Sequence, residues 1–165
     1  AHLAYMRVMG IFTPQSEKFE TGIFPQNFAD RFGWEELAET MSQTYQALPA
    51  DDQAKACIFT ENYGEAAAID FFGPAQDMPR ATCTHNSYWF WPPPDWDGRV
   101  AIIFGSSNDT TACFADLRRV FAEVSFAGST RAAYTMPYEN GRPIFVCRRA
   151  RIGLKTIWER DRMFI

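Results

Sequence analysis

The chain has 165 residues, and 47% of them are apolar, which suits a single domain with a buried core. A net charge of −4 and scattered Lys and Arg residues disfavour a surface that binds nucleic acid. No apolar run reaches the length of about 18 residues typical of a membrane-spanning helix, so we expect the chain as given to be soluble.

The first part of the sequence is rich in turn-forming residues. Gly and Pro recur at short intervals over residues 1–26, which predicts an extended lead segment or linker. We expect residues 27–165 to form a single α/β domain. The sequence begins at Ala1 rather than Met, which fits either processing or a boundary within a longer protein.

A helix and then a strand–helix–strand unit follow along the chain. Apolar residues at three- and four-residue spacing predict a helix that starts near Phe28 and ends before Pro49. Residues 56–60 and 81–84 have the composition of buried strands, and residues 64–72 between them have a helical pattern. Such a unit predicts two parallel strands joined by a right-handed crossover.

The second half of the chain continues the alternation of strands and helices. The apolar run 100–105 between turn signals predicts a strand, and Asn108 is the expected N-cap of the helix after it. Alternation near Val124 and the run 144–148 predict two more strands, and a terminal helix is expected from Gly153. The order of elements predicts a three-layer α/β sandwich with a mainly parallel, Rossmann-like sheet.

The cysteines lack the spacing of metal ligands, and three of them lie within apolar runs. This pattern predicts buried free thiols, since Cys is among the residues most often found in protein interiors. A bridge between Cys113 and Cys147 stays open, because spacing alone does not decide it. No metal site is predicted.

Polar and aromatic patches follow the predicted strands. In an open α/β sheet, residues after the carboxyl ends of parallel strands converge on one edge, where ligands bind. We therefore predict that these patches bind a ligand, in one crevice shared by Asn62, Tyr63, Glu65, His85, Asn86, Tyr88, Glu139 and Asn140. The candidate ligand-binding residues are Asn62, Tyr63, Glu65, His85, Asn86, Tyr88, Trp89, Tyr138, Glu139 and Asn140.

Two of these patches have both a functional and a structural interpretation. Glu65 follows a strand at the start of a helix, where it either contacts a ligand or complements the helix dipole. The aromatic cluster around His85 suits a carbohydrate, or it is a buried loop packed beneath the proline turn. Glu61, Glu65 and Glu139 are candidates for acid-base work if they meet across the edge. Catalysis by Cys83 and His85 is disfavoured, because neighbours on one strand do not by themselves form an activated nucleophile.

Four ordered segments resemble the C-terminal soluble region of bacterial membrane glycosyltransferases. The resemblance covers most of the chain from about residue 24, and the ordered set is more specific than any single motif. The family comprises relatives of the dolichyl-phosphate-mannose protein mannosyltransferases and of the lipid A aminoarabinose transferase. The segments are F-A-D-R-F-G-W-E-E (28–36), N-Y-G-E-A-x-A-I-D-F-F-G (62–73), H-N-S-Y-W-x-W (85–91) and M-P-Y-E-N-x-x-P-I-x-V-C-R (136–148).

The resemblance implies a role without chemistry of its own. Members of this family carry a multi-span membrane portion that uses a polyprenyl-phosphate sugar donor, with catalytic acidic residues in an extracytoplasmic loop. Neither feature is found in this sequence, so no catalytic residue and no cofactor is assigned. The implied role is an accessory domain on the periplasmic side of the cytoplasmic membrane. It would bind an acceptor or saccharide, or dock on the membrane portion of the same polypeptide.

Two other classes of function stay open from the sequence. One is a free-standing small enzyme that uses Glu65, His85 and Glu139 as acid-base groups. The other is a nucleotide-binding module, against which the absence of a glycine-rich phosphate-binding fingerprint counts. Turnover by the isolated chain would favour the enzyme.

Overall fold

The computed structural model describes residues Tyr5, Val8, Met9, 22–93 and 96–164. Most of the predicted lead segment over residues 1–26 therefore lies outside the described residues. The described part is a mixed α/β structure with an open five-stranded sheet that is partly parallel. None of its helices is both long enough and apolar enough to cross a bilayer.

Within residues 22–55, three helices precede the sheet. They are α1 (Gln26–Ala29), α2 (Trp34–Gln46) and α3 (Ala50–Gln53). The predicted helix starting near Phe28 is thus divided in two, because Gly33 takes a left-handed conformation with a φ of 92° between α1 and α2. The apolar stripe of α2 is buried in the core as its periodicity indicates.

The strand–helix–strand unit is formed as predicted. Strand β1 (Ala56–Phe59) leads into α4 (Tyr63–Phe72), and a 3₁₀ turn (Gly73–Gln76) precedes β2 (Ala81–Thr82). The two strands pair in parallel, with Ile58 opposite Ala81. Strand β2 has only two residues, because the chain after it turns away into a second 3₁₀ segment (Asn86–Phe90).

Strand β3 (Val100–Phe104) lies beside β1 in a parallel pair, as its apolar run predicts. Helix α5 (Thr110–Val120) follows it. Its N-cap is Asp109, whose side chain accepts a hydrogen bond from the backbone N–H of Ala112 at 3.0 Å, rather than the expected Asn108. Aspartate and asparagine are about equally good N-caps, so the sequence alone does not decide between Asn108 and Asp109.

The last two strands are antiparallel. Strands β4 (Phe121–Ser129) and β5 (Pro143–Ala150) pair with each other, and β5 also pairs antiparallel with β3, giving the order β2-β1-β3-β5-β4. The sheet is therefore partly rather than mainly parallel. A parallel β5 would need a crossover connection, and the loop over residues 130–142 contains no helix to make one. Helix α6 (Leu154–Arg160) comes after the sheet.

The strands bury side chains on both faces. On β3, Val100, Ile102 and Phe104 belong to one buried cluster together with residues of α2 and α4. Ala101 and Ile103 on the same strand face the other cluster, which includes residues of α5. Alternation along the strand thus assigns successive residues to opposite faces, as expected of a sheet covered on both sides.

We predict that Gly33→Ala destabilises the fold by about 2 kcal/mol. An added Cβ would lie 2.5 Å from Thr135 Cγ2, and the positive φ is unfavourable for alanine. The matched control is Gly128→Ala, where nothing lies within 4 Å of the added atom. Urea unfolding of both variants measures the difference. Equal stability of the two variants would contradict the prediction.

Candidate functional site

The carboxyl end of β1 leads into a capped helix. Asn62 is the N-cap of α4, and its Oδ1 accepts a hydrogen bond from the Glu65 N–H at 3.0 Å. Glu65 Oε2 accepts in return from the backbone N–H groups of Asn62 at 3.2 Å and Glu61 at 3.0 Å. This is a reciprocal capping box, which holds the Glu65 carboxylate in the first turn of α4.

A buried arginine joins this cap to the neighbouring strands β3 and β5. Arg142 Nη1 donates to Glu65 Oε1, and Nη2 donates to Glu61 Oε2 at 3.2 Å. Its Nε also donates to the Gly105 carbonyl at 2.8 Å, and its guanidinium lies 4.2 Å from the centre of the Phe104 ring. We call Glu61, Glu65 and Arg142 the carboxylate–guanidinium cluster. It connects the first turn of α4 with the end of β3 and the start of β5.

The carboxylates of this region outnumber the guanidinium that neutralises them. Burial raises the pKa of Glu61, and Glu65 raises it further, while Arg142 opposes the shift. Burial also raises the pKa of Glu139, with a second contribution from Asp30 and an opposing one from Arg142. Arg142 thus acts on the pKa of both carboxyls and leaves each one above its ordinary value.

A small cavity lies next to the cluster. It encloses about 40 Å³, and Glu65, Glu139, Asn140 and Arg142 are among the residues that line it. Three of the predicted ligand-binding residues therefore meet here. Pockets for small organic ligands have volumes of roughly 300–1,000 Å³, whereas this space is close to that of one water molecule. Asn140 also stabilises the loop over residues 130–142, because its Oδ1 accepts a hydrogen bond from the Ala132 N–H at 3.2 Å.

His85 lies beneath the start of α4. Its ring is buried and meets the half-exposed Tyr63 ring edge to face, with centroids 5.1 Å apart. Neither ring nitrogen has a hydrogen-bond partner among the described residues. The backbone of His85 forms a parallel bridge with Met163. His85 is therefore packed as an aromatic group and does not present a nitrogen to solvent.

The aromatic segment after His85 packs against the C-terminal helix. The Trp89 indole N–H donates to the Trp158 carbonyl at 3.2 Å, and the Trp158 indole donates to the Trp89 carbonyl at 2.8 Å. The Tyr88 hydroxyl donates to Asp70 Oδ2 at 3.1 Å, and the Asn86 N–H donates to the Met163 carbonyl at 2.8 Å. The segment thus packs on α6 rather than lying buried beneath the proline turn, and Phe90 and Trp91 are 64% and 62% exposed.

The predicted residues are therefore found in separate places. Glu65, Glu139 and Asn140 line the small cavity, whereas Tyr88 lines a different groove with Trp91. Tyr138 is half-buried in the loop before Glu139. The second 3₁₀ segment turns toward α6, which explains why its aromatic side chains do not reach the cavity.

Arg142 is the central residue that sequence reasoning missed. It follows Gly141 in the fourth motif and directly precedes five consecutive buried residues of β5, 143–147. A charged residue next to such an apolar run is a signal for a buried ion pair, since buried arginine is rare without a partner. The sequence offers no indication of which carboxylate the arginine meets.

The cysteine prediction agrees with the structure. All four cysteines are free and buried, so the open alternative of a Cys113–Cys147 bridge is not formed. Burial raises the pKa of Cys57 and of Cys147 to about 12, which keeps both thiols protonated. Within the described part of the chain, no group of three or more His, Cys, Asp or Glu residues is placed to hold a metal ion.

Comparisons of this chain with protein-family models, with curated proteins and with solved structures give no match. A function must therefore be argued from the residues and contacts described above.

We predict that Arg142→Met lowers the free energy of unfolding by about 3–5 kcal/mol, because it leaves the buried Glu65 carboxylate without its charged partner. The control is Arg119→Met, which removes an exposed ion pair to Asp116 and should cost less than about 1 kcal/mol. Urea unfolding at neutral pH measures both. A similar loss in the two variants would contradict the importance of the cluster.

We also predict a pH-dependent stabilisation by Glu139→Gln. A raised pKa means that the folded state binds this proton more tightly, so the carboxyl destabilises the fold as pH rises from its ordinary value of 4.5 through the raised value. The amide removes this effect. The stability difference from the unmodified chain should therefore be larger near pH 7 than near pH 4. Glu39→Gln, at an exposed carboxylate of α2, is the control, and a pH-independent difference for Glu139→Gln would refute the prediction.

Proposed function

We propose that this chain is an accessory domain of a polyprenyl-phosphate-sugar-dependent membrane glycosyltransferase. In this proposal it lies on the extracytoplasmic side of the bacterial cytoplasmic membrane and docks on the membrane portion of the same polypeptide. The resemblance of four ordered segments supports the family. The burial and high pKa of the cysteine thiols are compatible with an oxidising compartment.

The observation that carries the proposal is the contact between motifs that are distant in sequence. Tyr63 of the second segment packs on His85 of the third, and Glu65 of the second pairs with Arg142, which lies within the fourth segment at a position that the resemblance leaves open. The second, third and fourth segments are therefore in contact with each other. Side chains used in this way maintain the shape of a surface, which fits an accessory role better than catalysis.

Docking is favoured over saccharide binding at this edge. The cavity of about 40 Å³ is much smaller than a typical ligand pocket. Around it, Phe24, Phe32 and Tyr134 contact one another with ring centroids 5.2–5.8 Å apart. The side chains of Phe32 and Tyr134 are 40% and 49% exposed. Aromatic residues are enriched in protein–protein interfaces. We call these three residues the aromatic rim.

The alternative of a free-standing enzyme gains no support from Glu65 or His85, which are two of its three proposed acid-base groups. Both oxygens of Glu65 accept hydrogen bonds within the cap and from Arg142. The ring nitrogens of His85 are buried away from solvent. A general acid or base must reach a proton on the substrate, and these two groups do not have that access.

The fold itself is compatible with the finer description predicted from the sequence. Helices α2 and α4 contribute to one buried cluster, and α5 contributes to the cluster on the opposite face. This placement supports a three-layer, Rossmann-like arrangement as part of the proposal.

The family assignment predicts that the isolated chain does not transfer sugar from a polyprenyl-phosphate donor, and that the reading frame upstream of Ala1 encodes several hydrophobic spans. Donor turnover by the purified chain, or an upstream frame without such spans, would refute it. A radiolabelled-donor assay and sequencing of the gene make these two measurements.

The docking role is tested in the full polypeptide by the double variant Phe32→Asp/Tyr134→Asp. We expect sugar transfer to fall by about tenfold or more, since charges would oppose burial of the rim. The control is Phe71→Asp, which places the same charge at a phenylalanine that is exposed elsewhere on the domain. Thermal unfolding of the isolated variants separates loss of docking from loss of folding. Equal transfer by the double variant and the control would refute docking through the rim.

A further inference from the structure

A larger cleft lies on the opposite side of the carboxyl edge from the aromatic rim. It opens between α5 and the ends of β1 and β3, and residues of α6 line its outer end. Its main part has a volume of about 560 Å³. A second lobe of about 200 Å³ shares Phe59, Glu61, Ile103 and Leu117 with it. We call this space the α5 cleft, and its size suits a small organic molecule.

The walls of the α5 cleft are mostly apolar. Phe59 and Ile103 come from the sheet, and Leu117 comes from the facing side of α5. The Trp96 ring contacts Phe59 edge to face with centroids 5.1 Å apart. Its indole N–H donates to the Val100 carbonyl at 2.8 Å, which fixes the ring in place. Such a wall suits a flat apolar ring.

The carboxylates that line the cleft differ in how many arginine partners they have. Asp116 pairs with Arg119 at 2.9 Å, and Asp161 pairs with Arg160 at 2.6 Å, so each of these carboxylates has an arginine beside it on the cleft wall. Glu61 also lines the cleft, but it shares its guanidinium with the fully buried Glu65.

Glu61 has the capacity for a further donor. A carboxylate can accept about four hydrogen bonds, and the bond from Arg142 uses only part of that capacity. Its side chain is 44% exposed, so a ligand in the cleft can reach the carboxylate that Arg142 holds from the other side. Burial raises the pKa of Glu61, Arg142 opposes this shift and Glu65 adds to it. A ligand that brings a positive charge to this end of the cleft would stabilise the ionised carboxylate.

We propose that the α5 cleft binds a small organic amine, with its ring against Phe59, Trp96 and Leu117 and its ammonium group against Glu61. The site is independent of the proposed glycosyltransferase role. The aromatic rim contributes none of its residues to the cleft, so either proposal can fail while the other stands.

The probe pair is tryptamine and indole-3-propionate, which share a ring and differ in the sign of the charge on the side chain. Binding to the 165-residue chain is measured by titration with protein-observed NMR. We expect tryptamine to bind about tenfold or more tightly than indole-3-propionate. Absence of tryptamine binding, or equal affinity for the two probes, would overturn the proposal.

Variants locate the site. Glu61→Gln should bring the two affinities within about twofold of each other, because it removes the charge but keeps an acceptor for Arg142. Glu35→Gln makes the same change at an exposed position of α2 and should leave the preference unchanged. Leu117→Trp should weaken binding of both probes to a similar extent, because the larger ring occupies space beside Phe59 where the probe ring is expected to pack. A charge preference that survives in Glu61→Gln, or an unchanged tryptamine affinity in Leu117→Trp, would each refute the assignment.

Discussion

The ion pair between Glu65 and Arg142 organises the carboxyl edge of this protein. Glu65 caps α4 through its backbone contacts, and the same carboxylate receives the guanidinium of Arg142. Arg142 in turn binds the carbonyl of Gly105 at the end of β3. The start of β5 can approach the end of β3 this closely because residue 105 has no side chain. A Cβ added at Gly105 would lie 2.7 Å from Pro143. One buried charge thus determines how a helix start, a strand end and a strand start fit together.

This arrangement explains why few polar side chains at the carboxyl edge are free to contact a ligand. Desolvating an arginine and a glutamate is costly unless their hydrogen bonds are satisfied, and the cluster satisfies them almost entirely from within the protein. Groups that look catalytic in the sequence are consequently committed to structure. The unmatched charge is left at the periphery, on Glu61 toward the α5 cleft and on Glu139 toward the small cavity.

Much of the fold follows from local patterns in the sequence. The apolar runs identify β1 and β3, and the N-Y-G-E sequence identifies the start of α4, because strand burial and helix capping depend on residues close together in the chain. The antiparallel direction of β5 cannot be predicted from local patterns, because it depends on the path of the loop over residues 130–142. The partner of Glu65 does not follow either, because Arg142 lies 77 residues further along the chain. The shared-crevice hypothesis overlooked that the second 3₁₀ segment has its own partner in α6.

The reciprocal indole contacts between Trp89 and Trp158 bear on how the protein reaches its folded state. These residues are 69 positions apart, and Met163 adds backbone hydrogen bonds to the chain just after β2. That end of the sheet stays open during synthesis until residues 158–163 have emerged from the ribosome. Contacts between such distant segments form late and slow the search for the native topology. The aromatic segment after β2 is therefore among the last of the described parts of the chain to gain its packing partners.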